Sequence, residues 1–372
     1  MNAIPLSLYV HFPWCVKKCP YCDFNSHALQ GDLPAAAYTD SLIADFDAAA
    51  KHEDRQSLTS IFLGGGTPSL FPPAEIKRLL DHVAKRFDIS NIEITLEANP
   101  GTLDEGHFSG YLDAGINRLS VGAQSFSNQM LAELGRIHQS EDIVRAVTSA
   151  REAGFRRINI DLMYGLPGQT IEGCLADLDQ AISLRPEHIS WYQLTIEPNT
   201  YFHRYPPARP AEHIVADFME AGFEQLTRNG FRRYEISAFA RPGEESHHNL
   251  NYWQFGDYLG IGAGAHGKVS GQDGIVRTTR TRVPADYFKR QSPILNRVCQ
   301  NEILLEYLMN TLRLVDGFAL EDFYNRTGLP ASSLRPFVSA GLDRGLLERS
   351  DDSIRPSEKG LLFLNELLLL AA

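Results

Sequence analysis

From residue 6 to residue 194 the chain alternates short apolar runs with longer stretches whose apolar residues recur every three or four positions. The continuous runs cover 6–12, 58–63, 92–98, 118–122, 158–164 and 189–194 and predict strands. Between them, 34–52 aligns Leu42, Ile43, Phe46 and Ala50 on one helical face, and 73–87 aligns Ile76, Leu79, Leu80, Val83 and Phe87. Further helices are predicted over 104–114, over 141–153 with Ile143, Val147 and Ala150, and over 171–184. Strands without polar alternation are buried on both faces, so this order predicts a parallel sheet covered by helices. Periodicity alone does not separate an open sheet from a barrel. Cys15, Gly65, Glu97, Gln124 and Asp161 gather at the ends of the runs. Parallel α/β sheets bind ligands at the carboxyl ends of their strands, which predicts one shared site at the top edge.

The pattern loosens after residue 200. A proline-rich crossing at 201–210 leads to an amphipathic helix at 213–229 and an edge strand at 233–239. The polar, Gly-rich region 243–273 fits no regular pattern. From 301 there are three short helical patterns and then a hairpin at 345–356, an order that looks like a winged helix. Three regions are expected: a core over 1–200, an extension over 201–300 carrying a loop at His248–Trp253, and a C-terminal winged-helix-like domain over 301–372.

Charge narrows the partners. The net charge is −11, from 35 basic and 46 acidic side chains, and residues 301–372 hold 7 Lys and Arg against 11 Asp and Glu. No nucleic acid partner is expected from such a balance, and the last domain reads as a lid or docking module. With 43 % hydrophobic residues the chain reads as soluble and globular. No apolar run approaches the roughly 20 residues of a transmembrane segment. The N-terminus lacks a basic start and long apolar core, so a cytoplasmic protein with reduced thiols is expected.

Three of the five cysteines, Cys15, Cys19 and Cys22, fall within eight residues in a C-x3-C-x2-C pattern directly after the first predicted strand. Pro13 and Pro20 hold the intervening backbone out of helix and sheet. Thiolates converging from one loop make a soft metal site. Structural zinc takes four closed ligands and an iron–sulfur cube normally four cysteines, so three leave one iron open. The alternatives are unrelated thiols, or zinc completed by His11, Asp23 or His27. Cys174 and Cys299 are distant and read as small packing residues. The run Gly64-Gly65-Gly66-Thr67-Pro68 exposes bare backbone suited to a zwitterion's charged ends, or is an ordinary turn. Gly260–Ala265 matches a dinucleotide fingerprint, but the polar, Gly-rich residues after it do not start a helix, which rules that reading out.

Spacing, the aromatic Tyr21 before the last cysteine and the preceding strand together resemble the radical S-adenosylmethionine (SAM) family. That resemblance implies a [4Fe–4S] cluster on Cys15, Cys19 and Cys22, SAM on its open iron, and a partial (β/α)6 TIM-like barrel. Glu97 in LEANPG, Gln124 in SVGAQSF, Arg136 in LGRIH and Asp161 in IDLMYGLP resemble, in sequence and order, the oxygen-independent coproporphyrinogen III oxidase family. The resemblance implies SAM contacts from Tyr9, Gly65, Gly66, Thr67, Glu97, Gln124, Arg136 and Asp161. The oxidases carry a further cysteine two residues after the triplet, where this chain has Phe24. The runs PWCVKKCPYCDFNSHA, SWYQLTIEPNT and GIGAGAHGKV, and above all His248-Asn249-Leu250-Asn251-Tyr252-Trp253, look instead like that family's heme-chaperone branch. This implies a heme chaperone with heme contacts from His248, Asn249, Tyr252 and Trp253, and a heme-acceptor protein, soluble or membrane-associated, as partner. His248 is the expected axial ligand, with His247 and His266 as alternatives. Whether SAM is cleaved stays open, and the oxidase is the rival expectation.

Overall fold

The six apolar runs form the parallel centre of a twelve-stranded sheet in the computed structural model, which describes residues 4–100, 107–272, 274–289 and 292–371. β1 (Leu6–Phe12) leads into two short strands of the cysteine loop, β2 (Trp14–Cys15) and β3 (His27–Ala28). β4 (Ser60–Gly65), β5 (Glu93–Ala98), β6 (Arg118–Gln124), β7 (Arg157–Tyr164) and β8 (His188–Gln193) follow in sequence. β9 (Arg232–Glu235), β10 (Ala238–Ala240), β11 (Asp257–Ile261), β12 (His266–Gly271), β13 (Gly274–Thr279) and β14 (Ile294–Arg297) complete the sheet. Its order is β14-β13-β12-β11-β1-β4-β5-β6-β7-β8-β10-β9. Neighbours from β11 to β8 run parallel, and the outer strands are antiparallel. The result is the expected partial (β/α)6 barrel, extended at both edges.

Strand alternation splits the burial. Leu6, Leu8, Val10 and Phe12 of β1 pack with Leu42, Leu79, Val147 and Leu178 of the surrounding helices in one core. Each such side chain contributes about 1.5–3 kcal/mol by leaving water. The opposite face is polar: Ser7, Ser60, Glu93, Thr95, Arg118, Ser120, Asn159 and His188 are all buried. Several of them pair, as in Ser7 Oγ with Ser60 Oγ at 2.8 Å and Asn159 Nδ2 to Ser120 Oγ at 2.8 Å, whereas Thr95 Oγ1 has no hydrogen-bond partner among the described residues. An interior of hydrogen-bonding groups is the setting for a polar ligand rather than an apolar plug.

The predicted helices appear at Ala35–Ala50, Pro73–Val83, His107–Asp113, Ser140–Ala153 and Ile171–Ser183. Positions 104–106 of the third lie outside the described residues. Three expectations change beyond residue 200. The edge strand at 233–239 is two antiparallel strands, β9 and β10, joined at Ile236-Ser237. The region 243–272 carries regular elements: His247–Trp253 is a helix, and β11 pairs with β1 from Leu6↔Asp257 to Val10↔Ile261; residue 273 lies outside the described residues. The HNLNYW hexapeptide is therefore helical rather than a loop. Ser246 caps it by accepting from the Asn249 N–H, a signal that seven residues of weak periodicity did not reveal. The glycine run after β11 turns into antiparallel β12, with φ +100° at Gly262 and +84° at Gly264, and no helix follows it.

The C-terminal domain packs the helices Ile303–Thr311, Leu320–Thr327 and Arg335–Asp343 against β15 (Phe318–Ala319), β16 (Leu347–Arg349) and β17 (Ser353–Pro356). Strands β16 and β17 form the predicted hairpin. Tyr307, Phe323 and Phe337 share their core with Phe255 and Ile275 from the sheet side. Val315 N–H donates to Tyr234 O at 3.1 Å, which joins the domain to the sheet's edge. Among the described residues no helix is long and apolar enough to cross a membrane.

Candidate cofactor-binding site

The cysteine loop is anchored at both ends. β2 pairs with β3, and His27 N–H donates to Pro13 O at 2.7 Å. Lys18 Nζ ties the tip to Phe24 O and Ser26 O at 3.1 and 3.2 Å. Asn25 Nδ2 donates to Ala263 O at 2.9 Å and to Arg282 O at 2.8 Å, so the far side of the loop is held by residues much later in the chain. Cys15 is buried, Cys19 and Cys22 are partly so, and all three line one cavity of about 510 Å³. Burial pushes the Cys15 and Cys22 thiols up, with a Ser26 hydrogen bond pulling the other way. Arg136 Nη1 lies 3.5 Å from Cys19 Sγ. Among the described residues no three His, Cys, Asp or Glu side chains are gathered as tightly as around one ion. A multi-iron cluster spaces its ligands more widely than a single tetrahedral zinc does.

The glycine run is locked onto this loop. Gly66 N–H donates to Phe12 O and Thr67 N–H to Trp14 O, both at 2.7 Å. A Cβ at Gly66 would stand 2.5 Å from Trp14 O, and Gly65, at φ +115°, would meet the His11 ring at 2.5 Å. Glycine is thus required for close approach here. Glu97, at the end of β5, accepts from Gly65 N–H at 2.9 Å. Burial, reinforced by Asp161, pushes its carboxyl up to about 8. The Asp161 carboxyl is likewise raised by burial, against hydrogen bonds that include Asn159 Nδ2 at 2.8 Å and Ser120 Oγ at 3.1 Å. Gln124 sits at φ +71° beside a register shift in β6, a strained geometry for a residue with a side chain. The irregularity directs Gln124 to Tyr192, whose hydroxyl donates to Oε1 at 2.9 Å. Arg136 also donates to Gly122 O at 2.8 Å, yet its buried Nε has no partner.

The structure brings most of the expected residues to this cavity. Cys15, Cys19, Tyr21, Cys22, Gly65, Gly66, Thr67, Glu97, Gln124, Arg136, Asp161, Asn249 and Trp253 all line it. Tyr9 and Tyr252 line an adjoining cavity of about 420 Å³ that shares Gly65, Glu97 and Phe24. His248 lines neither. Only 2 % of it is exposed, its ring stacks on Phe62 at 4.6 Å and meets Tyr252 at 4.4 Å, and burial lowers its pKa to about 3. Of the alternatives, His266 lines the second cavity. Tyr192, Glu235 and Arg313 also line the first cavity and were not anticipated. Tyr192 lies in a quoted motif, whereas Glu235 and Arg313 come from separate parts of the chain and leave no local pattern.

Two family matches cover most of the chain: residues 9–181 match the Radical SAM superfamily and residues 299–363 the HemN C-terminal domain. Heme chaperone HemW of Escherichia coli is 47 % identical over 98 % of this chain and 97 % of its own length. The chain belongs to the HemW family. The HemW of Haemophilus influenzae is 46 % identical over 98 % of the chain and 97 % of itself, and that of Bacillus subtilis 33 % over 97 % of each. In fold the chain is similar to coproporphyrinogen III oxidase (HemN) of Escherichia coli, described as a radical SAM enzyme. The TM-score is 0.84 at 23 % identity, over 99 % of this chain and 90 % of the other. The HemW relatives thus span both the cysteine cavity and the C-terminal domain.

Proposed function

We propose that the chain is a heme chaperone that carries a [4Fe–4S] cluster and SAM, binds heme and passes it to an acceptor protein. The observation that carries this reading is the likeness, along nearly the whole of both chains, to proteins named heme chaperone HemW. Cys15, Cys19 and Cys22 would hold the cluster, which when bound supplies one-electron reduction and an open iron. The backbone of Gly65 to Thr67 would receive the charged end of SAM. An ammonium beside Glu97 would return that carboxyl to its ionised form, since an opposite charge offsets burial. The unpartnered Arg136 Nε supplies a donor for a ligand acceptor, and Gln124, held by Tyr192, and Asp161 offer further polar contacts. Asn249 and Trp253 face the same cavity as the cysteines, and Tyr252 faces its neighbour. These three, with His266 in the second cavity, would be the heme contacts at the cavity walls. An axial bond from His248 requires its ring to leave the stack between Phe62 and Tyr252.

The deciding experiment incubates cluster-reconstituted protein anaerobically with coproporphyrinogen III, SAM and a strong reductant. No decarboxylated product is expected while the cluster stays intact by spectroscopy, and a hemin titration of the same preparation is expected to saturate. Product formed over multiple turnovers would make the chain an oxidase. A hemin titration without binding would end the chaperone reading.

A further inference from the structure

The cysteine cavity continues past the motif helix. Its far wall is made by Glu235 and Ser237 at the sheet edge, by Trp253, and by Arg313 from the C-terminal domain. Ser237 and Arg313 also line a lateral groove of about 660 Å³, so the two spaces adjoin. Val215, Met219 and Phe223 of the helix Glu212–Arg228 line the groove with Leu361 and Leu362. The polar Gln193, Thr195, Glu212 and Arg233 line it as well. A groove with both apolar and polar side chains thus meets a polar corner.

That corner is incompletely satisfied. The Arg313 guanidinium lies 4.3 Å from the centroid of the Trp253 ring and 3.6 Å from Glu235 Oε2, too far for a hydrogen bond. Arg313 Nε, Glu235 Oε2 and Trp253 Nε1 are all buried without a hydrogen-bond partner, and Glu235 is only 3 % exposed. Arg313 and Glu235 form an ion pair without a hydrogen bond, and three buried polar atoms lacking hydrogen bonds in one corner mark a place suited to another molecule's polar group.

We propose that Arg313 anchors a carboxylate of the bound tetrapyrrole, with Trp253 beneath it and the macrocycle extending along the groove over Val215, Met219 and Phe223. This rests on the heme reading and names the propionate as the group recognised. A guanidinium fork matches a carboxylate with two parallel hydrogen bonds. Trp253 Nε1 offers a further donor. Glu235 would stand beside a second carboxylate, an arrangement in which one of the two holds a proton. Burial already raises the Glu235 carboxyl, against Arg313, which suits it to donate that proton's hydrogen bond.

The test titrates the full chain with hemin and with hemin dimethyl ester, whose propionates carry no charge, followed by Soret absorbance. The unaltered protein is expected to bind hemin on the order of tenfold more tightly than the ester. Arg313→Gln is expected to bind the two alike, and Glu235→Gln to keep the preference. Equal binding by the unaltered protein, or a preference that survives Arg313→Gln, overturns the proposal and leaves the heme reading standing. Binding of neither compound overturns both. Equal binding of the two by the unaltered protein overturns the proposal even if Arg313→Gln disturbs domain docking.

Discussion

Glu97 lines both cavities and carries a buried carboxyl whose protonation a bound cation would change. Its carboxyl is pushed from 4.5 up to about 8 by burial, against the Gly65 hydrogen bond. The folded protein therefore keeps a proton that the unfolded chain releases near pH 4.5. The associated stability is complete below that pH and declines as the pH rises to about 8. Glu97→Gln is neutral throughout, so it is expected to flatten this decline by roughly 1–3 kcal/mol, the cavity side being open to solvent. Urea denaturation between pH 5 and 8 without SAM measures it. The same variant is expected to weaken SAM binding by on the order of tenfold. An unchanged SAM affinity would remove Glu97 from the site.

At the scale of elements, the helix His247–Trp253 is too short to persist on its own and depends on what holds its first turn. Glu93 on β5 accepts from the N–H groups of His247 and His248 at 3.2 and 3.1 Å. It also pairs with Arg157 at 3.1 Å and lies 3.8 Å from Arg118. Burial raises its carboxyl, but the two arginines and the helix N–H groups outweigh it and hold the pKa below 4.5. The stability it contributes is present above that value and is lost as the pH falls through the depressed pKa. Glu93→Gln leaves Arg118 buried without its anion and is expected to cost about 3 kcal/mol at pH 7. Chemical denaturation should show that deficit shrinking in acid; a constant difference would contradict the charge argument. This helix also shows where the sequence stopped being legible. The parallel strands announced themselves as apolar runs, and the cysteine and glycine motifs as local spacings. The motif helix offered seven residues of weak periodicity, and β11 is defined by a partner, β1, some 250 residues earlier. Glu235 and Arg313 meet only through domain docking, so no window of sequence contains both.

The whole molecule is less divisible than its domain boundaries suggest. The C-terminal domain completes its core with Phe255 and Ile275, which belong to the sheet side. Residues 299–372 produced alone are therefore expected to melt without a sharp cooperative transition by circular dichroism. A transition as steep as that of the full chain would show an independent domain. The same long reach governs the first strand. β1 lies between β4, which follows soon after it, and β11, which comes near residue 260. The loop carrying Cys15, Cys19 and Cys22 is likewise held through Asn25 by Ala263 and Arg282. A ribosome adding roughly 5–20 residues per second needs roughly 12–50 s to cover that span. Throughout this interval the three thiols emerge beside a strand with one edge bare. They are made first and enclosed last, so the finished pocket, and with it any site for the proposed cluster, exists only at the close of translation or after it.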